Sequence, residues 1–98
     1  MHTLPLSIPA DHPAFAGHFP GRPIVPGVVL LDQAQLLIEA ATQRRIRGIA
    51  MAKFLSPVSP GEALWLDYDP AASGVRGEIR AADRKVASLR FTLMDQAA

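Results

Sequence analysis

A histidine and a carboxylate of this sequence have the residue types and the spacing needed for proton transfer. His18 lies in a segment dense in proline and glycine, and Asp32 follows in the next apolar segment. A histidine held in a stiff loop can be oriented as a general base. A carboxyl group among apolar neighbours loses solvation, which favours its protonated form and suits it to act as a general acid. The pair could therefore remove a proton from a substrate and return one.

The start of a predicted helix at Gly27 and Val28 adds a third chemical feature. The first N–H groups of a helix have no partner within the helix, and the helix dipole adds partial positive charge there. These two amides could stabilise a negatively polarised carbonyl oxygen such as that of a thioester. One short stretch of chain would then supply a base, an acid and oxyanion donors.

Each candidate also has an ordinary structural explanation. Histidines flanked by proline and glycine are usually plain loop residues. Asp32 is the first member of a polar series at helical spacing, which is typical of the solvent-exposed face of an amphipathic helix. The series consists of Asp32, Gln35, Glu39 and Gln43. Periodicity alone favours that solvent-face explanation, so the residue types by themselves leave the chemistry open.

A long ordered loop and one helix would position these residues. The loop spans Pro9 to Gly27, and its prolines fix several backbone dihedral angles. Pro26 stands where helices commonly start, and the apolar pattern predicts a helix from Val28 to about Arg45, with Gly48 as its stop. Because this segment is apolar on most of its circumference, we expect other structure to wrap around it.

Alternating apolar residues predict a sheet around the helix. Near the amino terminus the alternation is weak, and Pro5 allows at best an edge strand there. The candidate strands are His2–Ile8, Ile49–Leu55, Glu62–Tyr68, Val75–Ala82 and Val86–Met94. The turns between the later strands suit an antiparallel meander. One buried helix against one antiparallel sheet predicts the α+β class, with residues 1–98 as a single domain.

The composition excludes several classes of protein. With 49% hydrophobic and 19% charged residues the chain is globular, and so high an apolar fraction in 98 residues predicts a subunit interface. A net charge of +1 gives no general attraction to nucleic acid. The sequence has no cysteine, which is compatible with a reducing cytosol, and no secretory signal or membrane span is predicted. We expect a cytoplasmic protein.

The string GHFPGRPIVPGVVLLDQAQ resembles the signature of the bacterial β-hydroxyacyl-acyl-carrier-protein dehydratases, which reads GHFPG-x-P-x-x-PGV before a carboxylate on the central helix. His18 matches the catalytic histidine of that family. Asp32 stands at its catalytic acid, which is commonly glutamate, whereas aspartate is typical of the dehydratase-isomerase branch. Gly27 matches the glycine whose amide polarises the thioester carbonyl. The later segment MAKFLSPVSPGEALWLDY also resembles the family, so the likeness covers residues 12 to 69 well.

The resemblance implies a hotdog fold, in which an antiparallel sheet wraps around one long helix. It also implies dehydration of a β-hydroxyacyl thioester to the trans-2-enoyl thioester, in fatty-acid or polyketide-type biosynthesis, with no metal or cofactor. The thioester would be linked to acyl carrier protein or coenzyme A. Family members dimerise by joining two sheets edge to edge, with the histidine of one protomer facing the carboxylate of its partner. A homodimer is therefore implied here.

The sequence departs from the family at positions that bear on the substrate tunnel. The family usually has an additional N-terminal helix and strand, of which this sequence shows at most a short segment. A glutamine is common one helical turn after the acid, where Leu36 stands here beside Gln35. The tunnel candidates are Phe19, Pro26, Gln35 and Leu36. These departures leave the accepted chain length open, but they do not touch the base or the acid.

Four arginines are candidates for binding an acidic carrier protein. Arg44, Arg45 and Arg47 cluster at the predicted helix end, and Arg22 lies close to the implied tunnel mouth. The ordinary explanation of the cluster is a solvated helix end that complements the helix dipole.

Two further functions are compatible with the sequence. A hotdog thioesterase also uses a helix carboxylate, but it activates water and has no evident use for a C2 base. A non-catalytic or partner-dependent acyl-binding subunit is the other alternative, although such a subunit has no need to retain both His18 and Asp32.

Overall fold

One helix and five strands make up the parts of the chain that the structure, a computed structural model, describes: residues 1–8 and 24–95. In chain order they are β1 (His2–Leu6), α1 (Gly27–Thr42), β2 (Ile46–Phe54), β3 (Leu64–Pro70), β4 (Gly74–Arg80) and β5 (Lys85–Leu93). The predicted base His18, the tunnel candidate Phe19 and Arg22 lie outside the described residues. Within them, no helix is long and apolar enough to cross a membrane.

The five strands form a single antiparallel sheet in the order β1-β3-β4-β5-β2. Strands β3, β4 and β5 follow one another as the predicted meander. Strand β1 is an edge strand of the described sheet and pairs only with β3. Pro5, which has no N–H to donate, is tolerated there because an edge strand bonds to a neighbour on one side only. After α1 the chain returns as β2 on the opposite edge, beside β5. The predicted α+β arrangement is confirmed, with strand ends shifted by up to three residues.

The core lies between the inner face of the sheet and one side of α1. Inward residues alternate along β3 and β5 as predicted, and Phe91 at the centre of β5 is fully buried. The helix contributes four buried residues to the core: Val29, Leu30, Ala34 and Ile38. Burying one side chain of the size of Ile38 stabilises the fold by about 1.5–3 kcal/mol. Packing of these four residues therefore fixes α1 against the sheet, and with it the position of the helix start.

The helix ends earlier than predicted. It stops at Thr42 and not at Arg45, because Gln43 takes the left-handed conformation, with φ of 58°. The carboxylate of Glu39 accepts the N–H of Ile46 at 2.9 Å and directs the chain into β2. Gly48 therefore lies inside β2 and is not the helix stop. No basic residue occupies the last helical turn, so the helix-dipole explanation of the arginines is wrong.

Candidate active site at the start of the central helix

Two amides at the start of α1 precede the first hydrogen bond of the helix. Pro26 is the N-cap residue, with φ of −60° and ψ of 143°, and its carbonyl accepts the N–H of Val29 at 3.0 Å. The N–H groups of Gly27 and Val28 come before this bond, at the positive end of the helix dipole. A hydrogen bond of 2.8 Å from the Val25 N–H to the Val58 carbonyl ties the segment to the loop after β2. The structure therefore holds these oxyanion-donor candidates on a fixed support.

A pocket of about 340 Å³ opens beside Gly27. Its lining residues are Val25, Gly27, Leu30, Phe54, Leu55, Ser56 and Pro57. The wall is mostly apolar, and its size lies at the lower end of the range for small-molecule sites. An acyl thioester suits such a pocket, because its chain is apolar and its carbonyl needs one or two hydrogen-bond donors.

Asp32 lies on an exposed stripe of α1 that the other described residues do not cover. Val28 and Leu36 stand one turn before and one turn after it, with exposed fractions of 63% and 59%. Asp32 itself is exposed, and it lies about 7.5 Å along the helix axis from Gly27. The desolvation expected of a general acid is not supplied by the described part of this chain. A carboxylate between two exposed apolar side chains indicates a surface that another chain covers.

The edge strand β2 is exposed along almost its whole length. None of the described strands pairs with its outer edge, and its large apolar residues stay exposed. With the residue that follows the strand, these are Ile49, Met51, Phe54 and Leu55. Exposed apolar edges of this kind are uncommon in monomers, because they recruit another strand. The strand and the helix stripe therefore belong to one candidate interface.

The remaining tunnel candidates do not line the pocket beside Gly27. Pro26 is half-buried at the helix N-cap, Gln35 is half-buried, and Leu36 is exposed on the outer stripe of α1. Their contribution to a tunnel stays a prediction. Sequence reasoning missed Phe54, whose ring edge lies against Gly27. The only local feature of the sequence that could have pointed to Phe54 is an aromatic residue just before a proline-containing turn.

The arginine set divides into a structural member and exposed ones. The Arg44 guanidinium donates to the carbonyls of Ala71 at 3.1 Å and Ala72 at 2.9 Å, and more weakly to that of Met94 at 3.4 Å. These bonds fasten the chain after α1 to the β3–β4 turn, so Arg44 has a structural role. Arg45 and Arg47 are exposed and stay available as carrier-binding candidates.

An ion pair holds the loop that forms one wall of the pocket. Arg84 donates to the Glu62 carboxylate at 2.7 Å and to the Pro57 carbonyl at 2.7 Å. The hydrogen bond from Arg84, with help from the Ser59 N–H, holds the pKa of Glu62 below its ordinary value. The same bond raises the pKa of Arg84. Charge-assisted hydrogen bonds thus attach the loop to the β4–β5 turn, and we call this Arg84–Glu62 pair the clasp.

The described residues contain no cluster of three or more histidine, cysteine or acidic side chains that could hold a metal ion. That the reaction uses no metal or cofactor stays a prediction.

An antiparallel sheet on one central helix, with a pocket at the helix start, defines a hotdog-fold protein. The family described as ApeI-like, ApeI dehydratase, has a model that matches residues 1–90, and the chain belongs to this family. Its fold is similar to that of a chain in the dehydratase heterocomplex ApeI:P from Xenorhabdus doucetiae, with a TM-score of 0.74 and 24% identity over 93% of this chain and 84% of that one. The fold is also similar to that of an uncharacterized protein from Erwinia carotovora. The TM-score is 0.75 and the identity 28%, over 95% of this chain and 82% of that one. The predicted hotdog fold is confirmed.

Curated relatives carry the name 3-hydroxyacyl-(acyl-carrier-protein) dehydratase FabZ. The protein from Thermus thermophilus is 32% identical over 85% of this chain and 70% of its own length. The protein from Chlamydia pneumoniae is 34% identical over 96% of this chain and 73% of its own length. The proteins from Chlamydia trachomatis are 37% identical over 72% of this chain, which spans about half (54%) of their length. The predicted resemblance to this dehydratase family is confirmed.

Proposed function

We propose that this protein dehydrates a β-hydroxyacyl thioester, carried by acyl carrier protein, to the trans-2-enoyl thioester. The observation that carries the proposal is the mostly apolar pocket of about 340 Å³ at the start of α1, which is lined by Gly27, a residue whose N–H precedes the first hydrogen bond of the helix. The dehydratase names of the relatives support the same reaction. A role in fatty-acid or polyketide-type biosynthesis and a cytoplasmic location are part of the proposal.

The residues would act in one concerted or two consecutive proton transfers. His18 takes the proton from C2, and its electron pair passes toward the thioester carbonyl, whose oxygen receives the Gly27 N–H. The C3–O bond then breaks as Asp32 gives its proton to the leaving hydroxyl, which departs as water. The products are the C2=C3 double bond, protonated His18 and ionised Asp32, and proton exchange with solvent restores the last two.

The site is completed by a second subunit in this proposal. Two sheets joined along β2 would extend the hydrogen-bonded ladder and cover the exposed apolar side chains of that strand. The same partner would cover the helix stripe of Val28 and Leu36 and desolvate Asp32 between them. A histidine of one protomer would then face the carboxylate of its partner. A homodimer with two sites satisfies these requirements.

A partner of different sequence is the second candidate, and one observation favours it. Strand β2 carries Arg47 and Lys53 but no acidic residue. Pairing two copies of this strand brings positive charges toward one another, whereas an acidic partner strand would neutralise them. The relative from Xenorhabdus doucetiae is part of a dehydratase heterocomplex.

Hydration of a crotonyl pantetheine thioester, followed as loss of enoyl absorbance, tests the reaction. We expect activity in the wild type and its loss by about 10²–10⁴-fold in His18→Ala, because each positioned proton transfer contributes a factor of that size. His2→Ala is the matched control, since His2 of β1 stacks on Tyr68 of β3, with ring centroids 5.1 Å apart, and does not line the pocket. Release of free thiol without hydration would indicate a thioesterase instead. Inactivity of the pure protein with rescue by a second hotdog chain would indicate the heteromeric form.

A further inference from the structure

The edge of the Phe54 ring abuts the helix start at Gly27. A Cβ atom placed on Gly27 would lie 2.9 Å from Cζ and 3.0 Å from Cε2 of that ring. Real Cβ contacts are longer than this, so the ring occupies the space that any side chain at position 27 would need. Gly27 and Phe54 are thus a matched pair, in which the missing side chain of one admits the ring of the other.

The backbone around Phe54 is fastened on both sides. Phe54 pairs with Ala87 at the end of the β2–β5 ladder. The N–H groups of Leu55 and Ser56 then donate to the Val86 carbonyl, at 2.8 and 3.3 Å. Hydrogen bonds at these positions leave the Phe54 Cα little freedom, so the ring is held at the pocket wall by the sheet.

Phe54 does not behave as a core residue. The ring of Phe91 is fully buried, whereas Phe54 keeps 47% of its surface exposed although it points to the inner side of the sheet. Its uncovered part faces the pocket beside the Gly27 amide. A ring that stays exposed contributes less hydrophobic stabilisation than a buried one, so folding alone does not explain this aromatic residue. Its position beside Gly27 suggests that it serves the pocket instead.

We propose that Phe54 is a positioning residue that holds the thioester carbonyl against the Gly27 amide. The ring lines the same pocket as Gly27 and packs against it, so it limits the orientations that a carbonyl group beside Gly27 can take. The edge of an aromatic ring also carries partial positive charge, which favours a carbonyl oxygen beside it. This inference rests on the proposed function, because it assumes that a thioester occupies the pocket.

Kinetics of Phe54→Ala test the positioning role. We expect kcat for crotonyl pantetheine hydration to fall by about 10–100-fold, since misplacement by about an ångström costs up to 10²-fold. KM should change less, because the rest of the pocket still binds the chain. Met94→Ala is the matched control, as Met94 is an apolar residue with the same exposed fraction as Phe54, 47%, and lies outside both the pocket and the candidate interface. An unchanged kcat, or a loss explained by a smaller assembly in sedimentation, would overturn the proposal.

A double-mutant cycle tests the pairing itself. Gly27→Ala alone should lower kcat, because the added methyl displaces the ring. In Gly27→Ala with Phe54→Ala the methyl has room, so kcat should match that of Phe54→Ala. Losses that multiply would show that position 27 needs glycine for another reason and would overturn the pairing.

Binding of an unreactive analogue separates this inference from the proposed reaction. The probe is crotonyl pantetheine with nitrogen in place of the thioester sulfur, and the readout is the Gly27 amide cross-peak in a ¹H–¹⁵N spectrum. We expect a saturable shift in the wild type, and in Phe54→Ala a Gly27 shift at saturation that is several-fold smaller while the affinity changes less. This result without turnover would leave the inference standing and the dehydratase reaction refuted. Wild-type turnover with no Gly27 shift, or with an equal Gly27 shift in the variant, would refute the inference alone.

Discussion

At the scale of single residues, the surroundings of Asp32 explain both what it could do and what it lacks. The helix presents it between two exposed apolar side chains, at a fixed distance along the axis from the Gly27 amide. No hydrogen bond from the described residues engages it, so its carboxyl group contributes little to folding. A functional group of this kind can be changed without unfolding the chain.

Replacement of Asp32 by asparagine should therefore separate activity from stability. We expect hydration of crotonyl thioester to fall by about 10²–10⁴-fold, because the amide cannot supply the proton. The free energy of unfolding should change by less than about 0.5 kcal/mol, as for other exposed substitutions. Enoyl absorbance and thermal unfolding measure the two effects. Asp69→Asn, an exposed carboxylate at the end of β3, is the control, and retention of a tenth of wild-type activity in Asp32→Asn would exclude the acid role.

The arginines illustrate how one residue type divides into separate roles. Arg44 donates to three carbonyls of its own chain, and Arg45 and Arg47 project from the surface. Because they are close in sequence, they were predicted to form one carrier-binding patch. The hydrogen bonds of Arg44 give it a structural role, so it does not belong to that patch.

Reversing an exposed charge tests carrier binding. In Arg45→Glu we expect KM for a carrier-protein thioester to rise several-fold, because rim charges steer acidic partners and are screened by salt. Arg47 is left unchanged, because it lies on β2, where the partner strand would pair. KM for the small pantetheine thioester should stay unchanged, which also serves as the internal control. Equal KM values for both substrates in variant and wild type would exclude Arg45 from the docking surface.

At the scale of elements, the loop between β2 and β3 depends on the clasp of Arg84 and Glu62. The loop forms part of the pocket wall, and Arg84 links its Glu62 and Pro57 to the β4–β5 turn. Because the pKa of Glu62 is lowered in the folded protein, its ionised form stabilises the fold above the pKa of the unfolded chain, near 4.5. That contribution is lost as the pH falls through the lower, folded value.

Glu62→Gln should therefore lower Tm at pH 7 and have a smaller effect as the pH falls through the lowered pKa of Glu62, because protonation of the wild-type carboxylate removes the same interaction. Thermal unfolding followed by circular dichroism, at pH 7 and at the lowest pH at which the wild type stays folded, measures this difference. Glu78→Gln is the control, since Glu78 pairs with Lys85 on the outer face of the sheet and holds no loop. An equal loss of Tm at both pH values would show that the clasp does not act through the ionised carboxylate.

At the scale of the whole molecule, six of the nine exposed large apolar side chains in the described residues lie along β2, directly after it, or on the outer stripe of α1. The apolar fraction of the sequence predicted an interface, and the sheet order says where it would lie. The interface and the pocket share Phe54, so assembly and activity should be linked.

Ile49→Lys tests this link, because Ile49 lies half-exposed on β2 and a lysine there opposes burial of the edge. We expect a shift toward monomer in sedimentation at micromolar concentration and a parallel loss of hydration activity. Arg76→Glu, an exposed charge reversal on the outer face of β4, should leave both unchanged. Full activity in a monomeric Ile49→Lys variant would show that one chain suffices.

The sequence by itself determined the strand alternation, the central helix and the family motif. These are local properties: Leu89 and Phe91 face the core because side chains alternate along a strand, and Gly27 and Asp32 are spaced within one helix. Only the tertiary structure decided which edge of the sheet stays open, that the helix ends at Thr42, and that Phe54 reaches Gly27 from another element. Those outcomes depend on contacts between residues far apart in the chain, which hydrophobic periodicity does not encode.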